Sequence, residues 1–155
     1  MLNQVKWDRR FLLLAKEVSR WSKDPSTRVG AVITDDLGRV LSTGFNGFPR
    51  GVLDAEERYL NRDEKYKFIV HAEVNACLLA GERARGGSLY VYPSFAIPNV
   101  CHECAKVVIQ AGIKRVVGFT PSGEDRQRAK RWEDSIRHAE IMLTEAGVRI
   151  VEISL

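Results

Sequence analysis

With 155 residues, the chain has the length of one domain that buries a sizeable core, and we predict a single domain over residues 1–155. Apolar residues make up 45% and charged residues 28%, as in ordinary globular proteins, and no apolar stretch is long enough to predict a membrane span. The 24 basic and 20 acidic residues give a net charge of +4, which suits an anionic ligand but is too small and dispersed to indicate a nucleic-acid-binding surface.

The first 45 residues predict a helix followed by a β-hairpin. Large or small apolar side chains recur at helical spacing, and we expect them in the core: Trp7, Phe11, Leu14, Ala15 and Val18. They predict an amphipathic helix over residues 7–22, which ends before Pro25 because proline disfavours a helical residue in front of it. Residues 29–34 and 39–45 then read as two strands joined by a turn.

A polar stretch over residues 46–69 interrupts the regular pattern. Its length and weak periodicity predict a functional loop that holds one short helix. The segment that follows predicts a helix over residues 71–82, on which Cys77 shares a face with Glu73 and is interpreted as a packing residue.

The second half alternates strands with helices. We predict strands over residues 88–92, 115–119 and 148–153, with helices over 101–111 and 126–146 between them. Such alternation implies parallel pairing with right-handed crossovers. Together with the hairpin it predicts an α/β fold, a three-layer α-β-α sandwich around a five-stranded mixed sheet.

Two short motifs carry the chemistry of the sequence: His71-Ala72-Glu73, and Cys101-His102-Glu103-Cys104 thirty residues later. One imidazole and two thiolates supply the three protein ligands of a catalytic zinc site, which leaves its fourth position open. Cys101 and Cys104 share a face of a first helical turn, and side chains there tilt toward the helix N-terminus. We therefore predict His71, Cys101 and Cys104 as zinc ligands, with Glu73 as the proton carrier beside the metal.

A fourth protein ligand would make the zinc site structural instead of catalytic. The remaining candidates are His102, His138 and Cys77, and none of them has a helpful spacing. A structural zinc site and a redox-active cysteine pair are the alternative interpretations of the Cys-x-x-Cys motif.

Histidine-x-glutamate followed by Cys-x-x-Cys resembles the signature of the zinc-dependent nucleobase deaminases. Longer segments resemble the deoxycytidylate (dCMP) deaminase family of the cytidine deaminase superfamily: residues 22–32, 44–51, 71–76 and 101–106. The Asn-Gly-Phe-Pro-Arg-Gly sequence at 46–51 and the long stretch before His71 favour this family over the related tRNA adenosine deaminases.

The resemblance implies hydrolysis of dCMP to dUMP and ammonia, with Glu73 carrying protons to N3 and to the departing amine. It also implies that Asn46 contacts the deoxyribose and that backbone groups around Ala72 hold the base. For the phosphate, a polar turn and one further arginine offer hydrogen-bond donors: Lys23, Ser26, Thr27, Arg28 and Arg50.

The same resemblance implies a homo-oligomer, hexameric in many members, with dCTP and dTTP as effectors and magnesium as their companion ion. Two features depart from the family pattern: Val100 replaces a proline before the first zinc cysteine, and residues 120–125 lack a tyrosine expected near the nucleotide. The alternatives are deamination of tRNA adenosine, guanine or a modified cytosine nucleotide, and a zinc domain that is not catalytic.

The remaining features concern partners and location. Residues 126–132 contain four basic side chains and a tryptophan, which we interpret as a solvated helix face, so no nucleic-acid partner is expected. The N-terminal charged residues lack the apolar region of a secretory signal. Three cysteines, two of them assigned to metal, argue against a disulfide framework and predict a cytoplasmic location.

Overall fold

One mixed β-sheet organises the protein, whose computed structural model describes residues 3–155. Positions 1 and 2 of the domain predicted over residues 1–155 lie outside the described residues. The regular elements, in chain order, are α1 (Gln4–Ser19), β1 (Gly30–Thr34), β2 (Val40–Phe45), α2 (Glu56–Leu60), α3 (Arg62–Phe68), α4 (Ala72–Ala80), β3 (Ser88–Tyr92), α5 (His102–Gln110), β4 (Arg115–Phe119), α6 (Gly123–Ala129), α7 (Glu133–Glu145) and β5 (Arg149–Ile153).

The strand order β2-β1-β3-β4-β5 confirms the predicted five-stranded mixed sheet. β1 pairs antiparallel with both β2 and β3, whereas β3, β4 and β5 run parallel, as the strand–helix alternation predicts. Alternate strand residues face opposite sides. Val32, Tyr90 and Val117 pack toward α1, and the strand residues between them pack toward α4, α5 and α7, which gives three layers.

The buried stripe of α1 differs from the prediction. The helix covers Gln4–Ser19 instead of residues 7–22, and Trp7 is 46% exposed, so its assignment to the core is wrong. The stripe begins one residue later with Asp8 and continues through Phe11 and Leu12, because Asp8 receives hydrogen bonds that make its burial tolerable.

Three predicted helices have different boundaries in the structure. The polar stretch over 46–69 contains two short helices, α2 and α3, where one was expected. The helix predicted over 126–146 is two helices, because a 3-10 turn (Lys130–Trp132) separates α6 from α7. The helix predicted over 71–82 is shorter: α4 ends at Ala80 and is followed by Gly81, whose φ of 60° favours glycine.

Close packing of α4 on β2 brings the first motif to the sheet. A Cβ atom on Gly44 would collide with the carbonyl oxygen of Ala72, so only glycine permits this approach. Ser42 on the same strand donates a 2.8 Å hydrogen bond to the carbonyl oxygen of Ala76. Within residues 3–155, no helix is both long and apolar enough to cross a membrane.

Candidate metal centre and substrate cleft

His71, Cys101 and Cys104 converge at the ends of two helices. His71 immediately precedes α4 and Cys101 immediately precedes α5, both in extended conformation, while Cys104 lies in the first turn of α5. The Nδ1 atom of His71 lies 3.2 Å from Sγ of Cys104 and 3.6 Å from Sγ of Cys101. Among residues 3–155, these three form the one group of His, Cys, Asp and Glu side chains that converge closely enough for metal binding.

The separation of these donor atoms suits a tetrahedral zinc ion. Zn–S bonds of about 2.3 Å and Zn–N bonds of about 2.0–2.1 Å at a tetrahedral angle place N and S about 3.6 Å apart. The observed separations of 3.2 and 3.6 Å lie close to that value. Soft thiolates and an imidazole are also the ligands that zinc prefers.

The surroundings of Cys101 favour its thiolate. A hydrogen bond from Cys104 and another from His71 lower the pKa of Cys101 to about 4, and the backbone N–H of Cys104 also donates to its sulfur. A hydrogen bond with Cys101 raises the pKa of His71 to about 9. A separate hydrogen bond between Cys104 and Cys101, together with burial, raises the pKa of Cys104. A metal would therefore displace protons when it binds these donors.

Glu73 lies in the first turn of α4, two residues after His71, and is 5% exposed. Burial raises the pKa of its carboxyl group above the ordinary value of 4.5. A raised pKa makes the carboxylate a stronger proton acceptor, which suits an acid–base catalyst.

The other candidate ligands lie apart from the three donors. Both the backbone N–H and Nδ1 of His102 contact Oγ of Ser135, at 3.0 and 2.7 Å, and this contact joins α5 to α7. His138 is exposed on α7. Cys77 is buried among apolar side chains, and burial raises its pKa to about 11, as suits its predicted packing role.

A cleft opens beside the donor group and contains many of the predicted site residues. Its lining includes six of them: Thr27, Asn46, His71, Ala72, Glu73 and Cys101. Val100, which replaces the family proline, also lines the cleft and is buried. The metal donors, the buried carboxyl group and part of the predicted substrate contacts therefore share one concave site.

Asn46 is held in place by three hydrogen bonds within the protein. Its Oδ1 accepts from the backbone N–H of Val29 at 2.8 Å, and its Nδ2 donates to the carbonyl oxygen of Thr27 at 2.9 Å and to Asp24 at 3.4 Å. The side chain thus ties the start of β1 to the turn before it, in addition to lining the cleft.

Four of the predicted phosphate contacts lie outside the cleft lining: Lys23, Ser26, Arg28 and Arg50. Lys23 is paired with Asp54 at 2.6 Å, and the hydroxyl group of Ser26 is bonded to Asp24 and Lys65. Their assignment to the phosphate stays a prediction.

The structure adds residues that the sequence analysis missed, all from segments without a metal motif. They are Lys65 and Tyr66 of α3, Phe95 and Asn99 of the loop before Cys101, and Arg128, Arg131 and Trp132 near the end of α6. Arg128, Arg131 and Trp132 are exposed, as the interpretation of residues 126–132 as a solvated face predicts, and they line the cleft in addition. Their combination of guanidinium groups and an aromatic ring is the feature of the sequence that could have indicated a place in a binding site.

Comparison with known proteins identifies the family. A family model described as the cytidine and deoxycytidylate deaminase zinc-binding region matches residues 5–120. The chain belongs to this family. The matched residues include both motifs and extend well beyond them, so the similarity to zinc-binding deaminases covers most of the chain.

Relatives of this deaminase extend over nearly the whole chain. A protein described as an uncharacterized deaminase in the luxG 3′ region of Aliivibrio fischeri is 40% identical over 97% of this chain and 95% of its own length. The human deoxycytidylate deaminase is 32% identical over 93% of this chain and 78% of its own length. The crystal structure of the dCMP deaminase from cyanophage S-TIM5, in apo form, superposes with a TM-score of 0.67 at 23% identity and covers 97% of this chain and 98% of its own, which supports the fold.

Proposed function

We propose that this protein is a zinc-dependent deaminase that hydrolyses dCMP to dUMP and ammonia. The observation that carries the proposal is the convergence of His71, Cys101 and Cys104 beside the buried carboxyl group of Glu73, in one cleft. The deoxycytidylate deaminases among the relatives support the choice of dCMP over other amino-substituted bases.

In this proposal, His71, Cys101 and Cys104 hold the zinc ion. When bound, zinc acts as a Lewis acid that makes water a nucleophile at neutral pH. Two thiolates neutralise the charge of the ion, so the acidification of water is weaker than with three imidazoles, and a nearby base is needed. Glu73 is the side chain in the cleft that can provide it.

Glu73 carries protons in the proposed reaction. Its carboxylate accepts a proton from the attacking water and delivers it to N3 of the cytosine, which makes C4 electrophilic. After the C4–O bond forms, the Glu73 carboxylate takes the remaining proton from that oxygen and delivers it to the amino nitrogen, and the C4–N bond breaks as the C4 carbonyl forms, which releases ammonia. Burial of Glu73 supports this role because it keeps the protonated form accessible between the two transfers.

The remaining contacts orient the nucleotide. Ala72 lies between His71 and Glu73 in the sequence and lines the cleft, which supports a contact of its backbone groups with the base. Asn46 retains one lone pair on Oδ1 for a sugar hydroxyl group, because its amide hydrogens are used by Thr27 and Asp24 while Oδ1 accepts only from Val29.

The proposal includes a cytoplasmic homo-oligomer, hexameric as the family resemblance implies, with dCTP and dTTP as effectors in the presence of magnesium. Exposed apolar side chains of β2 and α4, and of Trp21, which packs against Phe45, support contact between copies: Trp21, Phe45, Leu78 and Leu79. The three free thiol groups support a reducing compartment.

Ammonia release by the zinc-loaded protein tests the proposal. The substrates are dCMP, CMP, deoxycytidine, dCTP, adenosine, guanine and an adenosine-containing tRNA anticodon stem. Selective turnover of dCMP is expected. Turnover of a purine with no activity on any cytosine compound would reject dCMP as the substrate while leaving the deaminase chemistry intact, and Glu73→Gln serves as the inactive control.

A further inference from the structure

The polar turn after α1 uses several of its hydrogen-bond donors within the protein. The backbone N–H groups of Ser26 and Thr27 both donate to Oδ1 of Asp24, at 2.9 and 3.2 Å. Nε of Arg28 donates to the carbonyl oxygen of Asp24, and Lys23 is paired with Asp54. A nucleotide phosphate that bound this turn would have to replace several of these bonds.

Two guanidinium groups in the cleft lining, those of Arg128 and Arg131, are not paired with a carboxylate of the part of the chain that the structure describes. Among residues 3–155, neither Arg128 nor Arg131 has a carboxylate within 4.0 Å. Both line the cleft together with His71 and Glu73, and both are exposed to solvent. They are three residues apart, a spacing that puts them on the same side of a helical segment.

Arg128 and Arg131 both lie against aromatic rings of the cleft lining. Cζ of Arg128 lies 5.2 Å from the ring centroid of Phe95, in the loop that leads to Cys101. Cζ of Arg131 lies 5.7 Å from the ring of Trp132, which itself packs edge-on against Tyr66 of α3 at 5.7 Å. A guanidinium group that lies over an aromatic face keeps its N–H groups free to donate in its own plane.

The charge of the cleft favours an anion beside these two arginines. Its carboxylates are Asp24, which is paired with Lys65 at 3.1 Å, and the buried Glu73 next to the metal donors. The two guanidinium groups therefore have no compensating negative charge in the cleft. A guanidinium group matches the geometry of phosphate oxygens through two parallel hydrogen bonds.

We propose that Arg128 and Arg131 bind the 5′-phosphate of the nucleotide, so that this segment, and not the turn over residues 23–28, selects nucleoside monophosphates over nucleosides. The inference rests on the proposed function for the nucleotide class, and it identifies the side chains that recognise the phosphate. Residues 120–125, which lack the expected tyrosine, lead into and begin α6, the helix that supplies Arg128.

Calorimetric titration of the zinc-loaded, full-length protein tests the assignment without relying on turnover. The ligands are dUMP and deoxyuridine, together with dAMP and deoxyadenosine. The variants are Arg128→Ala, Arg131→Ala, and Arg126→Ala as a matched control, because Arg126 lies on the same helix but outside the cleft lining. Arg28→Ala and Arg50→Ala represent the phosphate contacts predicted from the sequence.

Each cleft variant should weaken dUMP binding roughly 10- to 100-fold, as expected for the loss of a charge-assisted hydrogen-bond pair, and should change deoxyuridine binding less than about twofold. Arg126→Ala should leave both affinities unchanged, and Arg128→Lys should recover part of the loss. Unchanged preference for dUMP in both cleft variants would overturn the proposal. So would a wild-type protein with no preference for monophosphates, or a loss confined to Arg28→Ala or Arg50→Ala.

The purine pair separates this inference from the proposed function. If wild-type protein prefers dAMP over deoxyadenosine, and the cleft variants remove that preference while dCMP is not deaminated, the phosphate assignment holds and the choice of dCMP fails. If dCMP is deaminated and both cleft variants keep the wild-type preference for the monophosphate over the nucleoside, the choice of dCMP holds and the phosphate assignment fails.

Discussion

Asp24 and Lys65 form an ion pair beside the cleft although they are 41 residues apart in the sequence. Nζ of Lys65 lies 3.1 Å from Oδ2 of Asp24, and only 7% and 2% of the two side chains are exposed. Lys65 also donates to Oγ of Ser26 at 2.9 Å. This ion pair connects α3, which precedes α4 in the chain, to the turn before β1.

Replacement of Lys65 by methionine should therefore be strongly destabilising. It leaves the carboxylate of Asp24 buried without its cation, and breaking one side of a buried ion pair costs about 3–5 kcal/mol. Urea unfolding measures the loss. Arg20→Met is the matched control, because Arg20 and its partner Glu17 are 64% and 57% exposed, and such pairs contribute about 0–1 kcal/mol. Equal losses in the two variants would show that the buried pair has no special role.

A second buried carboxylate, Asp8, predicts how stability depends on pH. Burial alone would raise its pKa, but hydrogen bonds from Arg115, Tyr90 and Gln4 outweigh that effect and hold the pKa below the ordinary value of 3.8. A depressed pKa stabilises the folded state at pH values above 3.8, and this contribution disappears as the pH falls below that value. The free energy of unfolding should therefore decrease steeply between about pH 4 and pH 2.

Asp8→Asn tests this assignment. The variant should be less stable than the wild type at neutral pH, because the charge-assisted bonds to Arg115 are lost, but its free energy of unfolding should change less between pH 4 and pH 2. Asp36→Asn, at an exposed position of the β1–β2 turn, provides the control. An acid transition as steep in Asp8→Asn as in the wild type would assign the pH dependence to other carboxylates.

The sheet and the convergence of the three metal donors could be predicted from the sequence, because both depend on local patterns of residues. Alternating strands and helices predict parallel pairing, and residues i and i+3 such as Cys101 and Cys104 share a helix face whatever surrounds them. The donor geometry around His71 follows from two helix starts that the motifs themselves identify.

The distant parts of the cleft could not be predicted in this way. Lys65 reads as one of several charges in a polar stretch, and only the fold shows that it is buried against Asp24. Arg128 and Trp132 read as part of a charged surface helix, and both are exposed in the structure. Only the fold shows that they also line the cleft, Arg128 from α6 and Trp132 from the 3-10 turn that follows it.

Glu73→Gln should abolish turnover while preserving fold and metal. The amide keeps the size of the side chain but cannot accept and release a proton, so the rate should fall by at least about 100-fold. Zinc content, melting temperature and ammonia release are measured together. Glu103→Gln is the control, since Glu103 is exposed, paired with Lys106, and adjacent to the cysteines without lining the cleft. Full activity of Glu73→Gln would remove Glu73 from the proton pathway.

Cys101→Ser should lose metal and stability together. A serine hydroxyl group does not ionise at neutral pH, whereas zinc requires a thiolate at this position, and metal binding energy contributes to folding. The zinc content should fall well below one ion per chain, and the melting temperature should approach that of chelator-treated wild-type protein.

Cys77→Ala separates this effect from the loss of any buried thiol. Cys77 is also buried, but its sulfur is outside the donor group, so the variant should retain zinc and lose only a small amount of packing energy. If Cys101→Ser retained a full complement of zinc, another side chain would have to complete the ligand set. The nearest alternative in the sequence, His102, is bonded to Ser135, and the double variant Cys101→Ser with His102→Ala would then determine whether it has taken over that role.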